Sequence, residues 1–298
     1  MRTAFIEELI AQARIHPEVF LVVGDLGYGV VEPFAREFPE RFLNAGVAEQ
    51  NMTGIAAGLA REGYNVFTYS IANFPTLRCM EQIRYDVCYH EMSVKIVAVG
   101  GGYAYGPLGP SHHATEDLGM LRVIPNMVVA APGDPVETRV VTRQLIAHRG
   151  PGYLRLGKAG EPRAHDVEPV FDLGQAIPVV AGCGTAILTT GAMLKSAADF
   201  IRDQQLPFSL YSFPYVKPMD RTTLANLASE HTKIITLEEH QRSGGFGAAV
   251  LECLHDLREE GTLAALPEVR RIAIPDAFYG ISGSQQFMRD CAGLKITL

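Results

Sequence analysis

Residues 44–63 read NAGVAEQNMTGIAAGLAREG, and they place one carboxylate, Glu49, at the mouth of a run of glycine, alanine and apolar residues. Gly54, Ala56, Ala57, Gly58 and Ala60 are small, so a helix built from this stretch packs close against another backbone. An acid in the first turn of such a helix has two uses. It can be a solvated charge favoured by the helix dipole. It can also be a carboxyl set against a nitrogen base of a bound cofactor, because burial makes a carboxyl hold its proton more readily and share it with a ring nitrogen.

Outward from this segment, short apolar runs alternate with helical patterns. VFLVVGD (19–25), NVFTYS (65–70), SVKIVAVG (93–100) and NMVVAAP (126–132) read as buried strands. The segments 48–62, 73–90 and 135–149 read as helices. A stretch rich in Pro, Gly and charge, LGKAGEPRAHDVEPVFDLGQ (156–175), reads as a linker. The alternation then restarts with strands in TAILTTG, PFSLYSF and KIITLEE and helices over 192–205, 221–231 and about 247–260. Continuous apolar strands alternating with helices imply parallel sheets covered on both faces. The expected fold is α/β: two doubly wound α/β domains, 1–165 and 172–298.

Bulk composition excludes several classes. The chain has 298 residues, 47% apolar and 20% charged, with a net charge of −7. That is a soluble globular profile, and the absence of a basic run or basic–aromatic stripe excludes nucleic acid as a partner. Five cysteines without CxxC spacing imply reduced, buried thiols and a cytoplasmic location. The opening MRTAFIEELI is amphipathic and carries Glu7 and Glu8, which argues against a signal peptide. The apolar run 177–194 is broken by Pro178 and glycines, so it reads as two short strands and not as a membrane span.

GVAEQNMTGIAAGLAREG resembles the segment around the catalytic glutamate of the transketolase family and its relatives, 1-deoxyxylulose-5-phosphate synthase and the β-subunits of 2-oxoacid dehydrogenases. The resemblance continues through FTYSIANFPTLRCMEQIRYDVCYHEMSVKIVAVGGG, GPLGPSHHATEDLGMLRVIPNMVVAAPGDPVET and PGYLRLGK, then LTTGAMLKSAADF, YVKPMD and LEEHQRSGGFGAAV. It covers nearly the whole chain in the family's order. It makes 1–165 the pyrimidine-binding domain and 172–298 the C-terminal domain.

The family's first domain, which holds Mg²⁺ and the diphosphate of thiamine diphosphate, is not represented. Its marker is Gly-Asp-Gly followed about thirty residues later by Asn. GDLGYG (24–29) ahead of Asn51 imitates it, but Leu26 replaces the second glycine and Asn51 lies inside the glutamate motif. GCGTAI (182–187) and GGFGAAV (244–250) lack the third glycine of a dinucleotide fingerprint. No metal site is expected on this chain. The resemblance implies one subunit of a split enzyme, sharing thiamine diphosphate with a diphosphate-binding partner that supplies the Mg²⁺ ligands, in an α2β2 assembly.

By resemblance, Glu49 hydrogen-bonds the aminopyrimidine ring nitrogen and favours the imino tautomer that takes a proton from the thiazolium carbon. Ile71 and Phe74 occupy two family aromatic positions, with Phe74 stacking on the pyrimidine and Arg78 following on the same face. His112, in GPSHHATED, matches a substrate-contacting histidine able to shuttle a proton. Arg155, in YLRLG, matches an arginine that grips a substrate phosphate, and Arg2 aligns with a second. Two departures stand out: Gly100 replaces a family histidine, and Pro107 and Leu108 stand where the family has an acid. Tyr28, Tyr103 and Tyr105 offer substitute contacts. The expected activity is transfer of a two-carbon ketol unit between a ketose and an aldose, sugars or sugar phosphates. The alternatives are a deoxyxylulose-phosphate-synthase-like or 2-oxoacid-dehydrogenase β-like subunit, and a non-catalytic regulatory partner.

Overall fold

The strands that read as uninterrupted apolar runs are buried on both faces in the computed structural model, which describes residues 1–296. In β1 (Val19–Val23), β3 (Asn65–Ile71), β4 (Val94–Val99) and β6 (Gly152–Leu156), successive side chains enter opposite cores, as a pleated strand requires. Leu21, Phe67, Val97 and Leu154 join one core with helices α1 (Arg2–Ala13) and α6 (Pro135–Ala147). Val22, Val66, Ile96 and Tyr153 join the other, with α3 (Glu49–Arg61) and α5 (Asp117–Arg122). Short β2 (Phe42–Asn44) and β5 (Val128–Ala130) complete the parallel part of this sheet, and α2 (Glu32–Glu37) and α4 (Met80–Gln82) lie in its connections.

A second sheet is built from β7 (Ile177–Val180), β8 (Thr185–Thr189), β9 (Ser209–Ser212), β11 (Lys233–Gln241) and β12 (Glu268–Ile274). Its order is β12-β11-β8-β9-β7, with only β7 antiparallel to its neighbour. Helices α7 (Leu194–Asp203), α8 (Arg221–Glu230), α9 (Phe246–Glu259) and α10 (Gln285–Cys291) accompany it. β10 (Tyr215–Lys217) leaves this unit and pairs antiparallel with β5, giving the first sheet the order β10-β5-β6-β4-β3-β1-β2. One core therefore runs through both units, holding Leu118 and Leu121 together with Phe213, Val216 and Phe246.

Three expectations are corrected. The segment 73–90 is not one helix: a turn leads into a 3-10 turn at Leu77–Cys79, then α4, then a π-helical stretch Ile83–Tyr89. Pro75 has no N–H to donate, and the Asn73 side chain is committed to the carbonyls of Ser111 and His113. The thiols are all free, but only Cys79, Cys88 and Cys253 are buried, whereas Cys183 and Cys291 are exposed. The segment 157–176 lacks secondary structure yet is pinned. Asp134 caps α6 through Oδ1, accepting from the amides of Val136 (2.9 Å) and Glu137 (2.8 Å), and its Oδ2 accepts from Ala164 and His165. His165 Nε2 lies 2.8 Å from Glu137, whose other oxygen accepts from Gly133. Among the described residues these three side chains are the cluster with metal-like spacing, but their oxygens already serve the backbone and each other. No described helix is long and apolar enough to cross a membrane.

Away from the site, Lys95 is fully buried in β4, its Nζ donating to Ser93 Oγ at 2.7 Å, and Ser93 in turn donates to Asn65. Burial pushes its amine down to about 7, from 10.5 for a free lysine. Below pH 7 both the folded and unfolded chains are protonated, and the full cost of the buried charge is present. Between pH 7 and 10.5 the fold sheds its proton first, and stability rises with pH. Lys95→Met should raise stability at pH 7 by on the order of 2–4 kcal/mol and flatten that rise. Urea denaturation at pH 7, 8.5 and 10 measures both.

Candidate active site

The site lies beyond the carboxyl ends of β1, β3 and β4, where loops of a doubly wound sheet converge. Glu49 is the first residue of α3 and only 2% exposed. The helix start explains how a carboxylate is tolerated there. Arg78 explains the rest: its Nη1 lies 3.0 Å from Glu49 Oε2. The Arg78 guanidinium carbon also sits 5.1 Å from the centroid of the Phe74 ring, a cation–π distance. Phe74 also meets the His112 ring edge-to-face, with centroids 5.4 Å apart. Glu49, Arg78, Phe74 and His112 thus form one continuous line, although the intervening chain is not a regular helix.

Asn73 holds the loop that carries His112. Its Nδ2 donates to the carbonyls of Ser111 (3.1 Å) and His113 (2.5 Å), which ties residues 73–74 to 111–113. Nothing in the sequence pattern marked Asn73, because its partners are backbone atoms of a distant loop. His112 Nδ1 lies 3.0 Å from Ser111 Oγ. Ile71 ends β3, and its carbonyl accepts from the Phe74 amide at 2.8 Å, which turns the chain toward the site.

The remaining candidates lie apart from this line. Tyr28 is 72% exposed, and its hydroxyl donates to Asp25. Asp25 also accepts from Asn44 at 2.9 Å, so the GDLGYG loop is tied to the end of β2. Arg2 is half-buried at the start of α1, its Nε without a partner, and it hydrogen-bonds Tyr105. Burial pushes the Tyr105 phenol up. The Tyr105 ring fills the space above Gly100: a Cβ there would meet it at 2.2 Å, and Gly100 has φ +91°. Only glycine suits that position.

Arg155 is buried and already engaged. Its Nε forms an ion pair with Asp117 Oδ2 at 3.0 Å without hydrogen-bond alignment, while Nη2 donates to the carbonyls of Ala114 (2.6 Å) and Glu239 (2.9 Å). Tyr153 donates to the same Asp117 oxygen at 2.5 Å, and burial beside that carboxylate drives its phenol far above the usual range. The guanidinium therefore joins the two units of the chain and is not presented to the line around Glu49.

Two family models match: transketolase, pyrimidine binding domain, over residues 1–160, and transketolase, C-terminal domain, over 174–295. The chain belongs to the transketolase family, whose members are thiamine-diphosphate-dependent transferases. One subunit of the apulose-4-phosphate transketolase of Phocaeicola vulgatus is 35% identical over 92% of this chain and 87% of its own length. The 6-deoxy-6-sulfo-D-fructose transketolase subunit SqwH of a Clostridium species is 31% identical over 99% and 90%. A split-gene transketolase, described as an inactive beta4 tetramer, superposes with a TM-score of 0.85 at 32% identity over 99% of this chain and 93% of that one. Within the family, then, this chain is the pyrimidine-binding and C-terminal subunit of a split transketolase, an enzyme that moves a two-carbon ketol unit between a ketose and an aldose.

Arg155→Met leaves Asp117 buried without its counter-charge and should cost about 3–5 kcal/mol of stability. Denaturant unfolding of the chain alone checks this. A substrate-gripping arginine would instead leave stability intact and raise KM.

Proposed function

We propose that this chain supplies the pyrimidine half of a shared thiamine diphosphate site, with Glu49 as the residue that holds a proton against the coenzyme's ring nitrogen. The observation that carries the reading is a nearly inaccessible carboxylate at a helix start, reached by a half-exposed guanidinium and continued by an aromatic face and an imidazole. That donor set fits a flat, nitrogen-containing ring. It does not fit a diphosphate with its metal: this line of side chains has one acid, and that acid is paired with Arg78. Mg²⁺ and the diphosphate therefore belong to a partner subunit.

When bound, the coenzyme supplies the electron sink that lets a two-carbon unit pass from donor to acceptor. Arg78 holds Oε2 of Glu49, which leaves Oε1 to meet the ring nitrogen. Arg78 balances the buried carboxylate from its place over Phe74. Phe74 offers its face to the pyrimidine, and His112, fixed through Asn73, donates to or accepts from substrate hydroxyls. The pyrimidine-binding unit is taken as 1–165 and the C-terminal unit as 172–298, within an α2β2 enzyme acting on a sugar or sugar phosphate in the cytoplasm. The named relatives act on apulose-4-phosphate and 6-deoxy-6-sulfo-D-fructose, both sugars with an anionic end. Arg2 and Tyr28 are taken as the residues of this chain that meet such an end.

Reconstitution with the diphosphate-binding partner tests this. The chain alone should turn over nothing, and the pair should take up thiamine diphosphate and Mg²⁺ in calorimetry and use a ketose, not pyruvate, as donor. Glu49→Ala should fold and still assemble but lose about 10²–10⁴-fold in kcat. Full activity of that variant would defeat the assignment.

A further inference from the structure

A separate cavity of about 250 Å³ lies beside the line around Glu49. Its walls come from both units: Asn73, Tyr103, His113 and Glu116 from the first, and Phe278 and Tyr279 from the second. Asn73 adjoins Phe74 and His113 adjoins His112, so the cavity shares its backbone with the proposed reaction centre. None of the residues that provide the chemistry of the site lines it.

His113 is 7% exposed. Its ring hydrogen-bonds the Gly106 backbone, and its Nε2 has no partner. A neutral imidazole that donates from one nitrogen offers a lone pair on the other. Burial lowers the pKa of His113, which makes that neutral form the one present near pH 7. A buried polar atom without a protein partner calls for one from solvent or a ligand, and here a cavity adjoins it. Tyr103 frames the space with edge-to-face contacts to His113 (5.0 Å) and Tyr279 (6.2 Å). Glu116 adds a carboxylate whose contacts are with Thr115. Among the described residues no lysine or arginine lines the cavity, so an anion would meet the Glu116 carboxylate without a lysine or arginine to balance it.

We propose that this cavity binds a small uncharged polyhydroxyl molecule, of sugar or polyol type, with one hydroxyl donating to Nε2 of His113. A second hydroxyl donates to Glu116, and the carbon skeleton lies on the aromatic rings. Two sources share this chemistry: the uncharged end of the reacting sugar, which rests on the transketolase reading, and a free polyol acting on His112 through residues 110–113.

Xylitol is the probe for both. In the full chain, ¹⁵N-labelled at histidine, xylitol should shift one buried imidazole nitrogen saturably, while inorganic phosphate should not. Xylitol binding should vanish in His113→Leu and weaken by about threefold or more in Glu116→Gln, whose side chain is half-exposed. No saturable shift with xylitol, or undiminished binding by both variants, overturns the proposal. In the reconstituted enzyme the sources separate. A substrate end predicts that His113→Leu raises KM for an unphosphorylated aldose about tenfold while kcat changes little. A free polyol predicts that xylitol alters kcat in the wild type and not in the variant. Lack of turnover by the wild-type pair would sink the transketolase reading while leaving the xylitol titration of the single chain to decide the cavity.

Discussion

The ion pair between Glu49 and Arg78 is the interaction on which the site depends. A carboxylate at 2% exposure cannot stay charged in a fold without a counter-charge and oriented donors. The start of α3 supplies the dipole, and Arg78 supplies the cation. Arg78 itself is about half exposed, so the pair is sealed from one side only. The acid is thus buried by its own chain and reached from outside through the half-exposed guanidinium of Arg78. Met52, Ala56 and Ala57 pack α3 onto the core beside the sheet, and that packing covers its first residue, while Gly54 and Gly58 face outward with nothing against them.

Much of the fold was legible because a doubly wound sheet buries both faces of each strand. VFLVV, NVFTYSI and VKIVAV read as strands for the same reason that they pack into two cores. The short elements escaped. β10 has three residues, and its pairing with β5 reverses direction and crosses between units, which no local periodicity encodes. The π-helical stretch 83–89 keeps apolar Ile83, Val87 and Cys88 inward at nearly helical spacing, so its pattern mimics an ordinary helix.

The site was legible in part for a related reason. Glu49, Phe74, Arg78 and His112 stand in local motifs and meet in space. Arg155 stood in an equally suggestive motif, but it lies in the middle of β6 between Leu154 and Leu156, in a strand buried throughout. Any charge there must find an internal partner, and Asp117, only five residues beyond His112 in the chain, is that partner. Motif resemblance says which residue type occurs at a position. Strand alternation and burial say what that residue is free to do.

The C-terminal unit supplies none of the four side chains aligned around Glu49, yet it holds the loop that presents one of them. Glu239 accepts from the Tyr103 amide at 2.9 Å and from Arg289 at 2.6 Å, and its carbonyl accepts from Arg155. A Cβ on Gly102 would meet the Glu239 side chain at 2.6 Å, so the loop and the acid fit only without one. Further along, the Gly283 amide donates to the Gly106 carbonyl, and Asn73 closes the loop from the other side at residues 111 and 113. Residues 100–113 are thus clamped between two units that meet over one shared core. The near end of the loop that carries His112 is held by residues more than a hundred positions away, and its far end by Asn73 of the same unit.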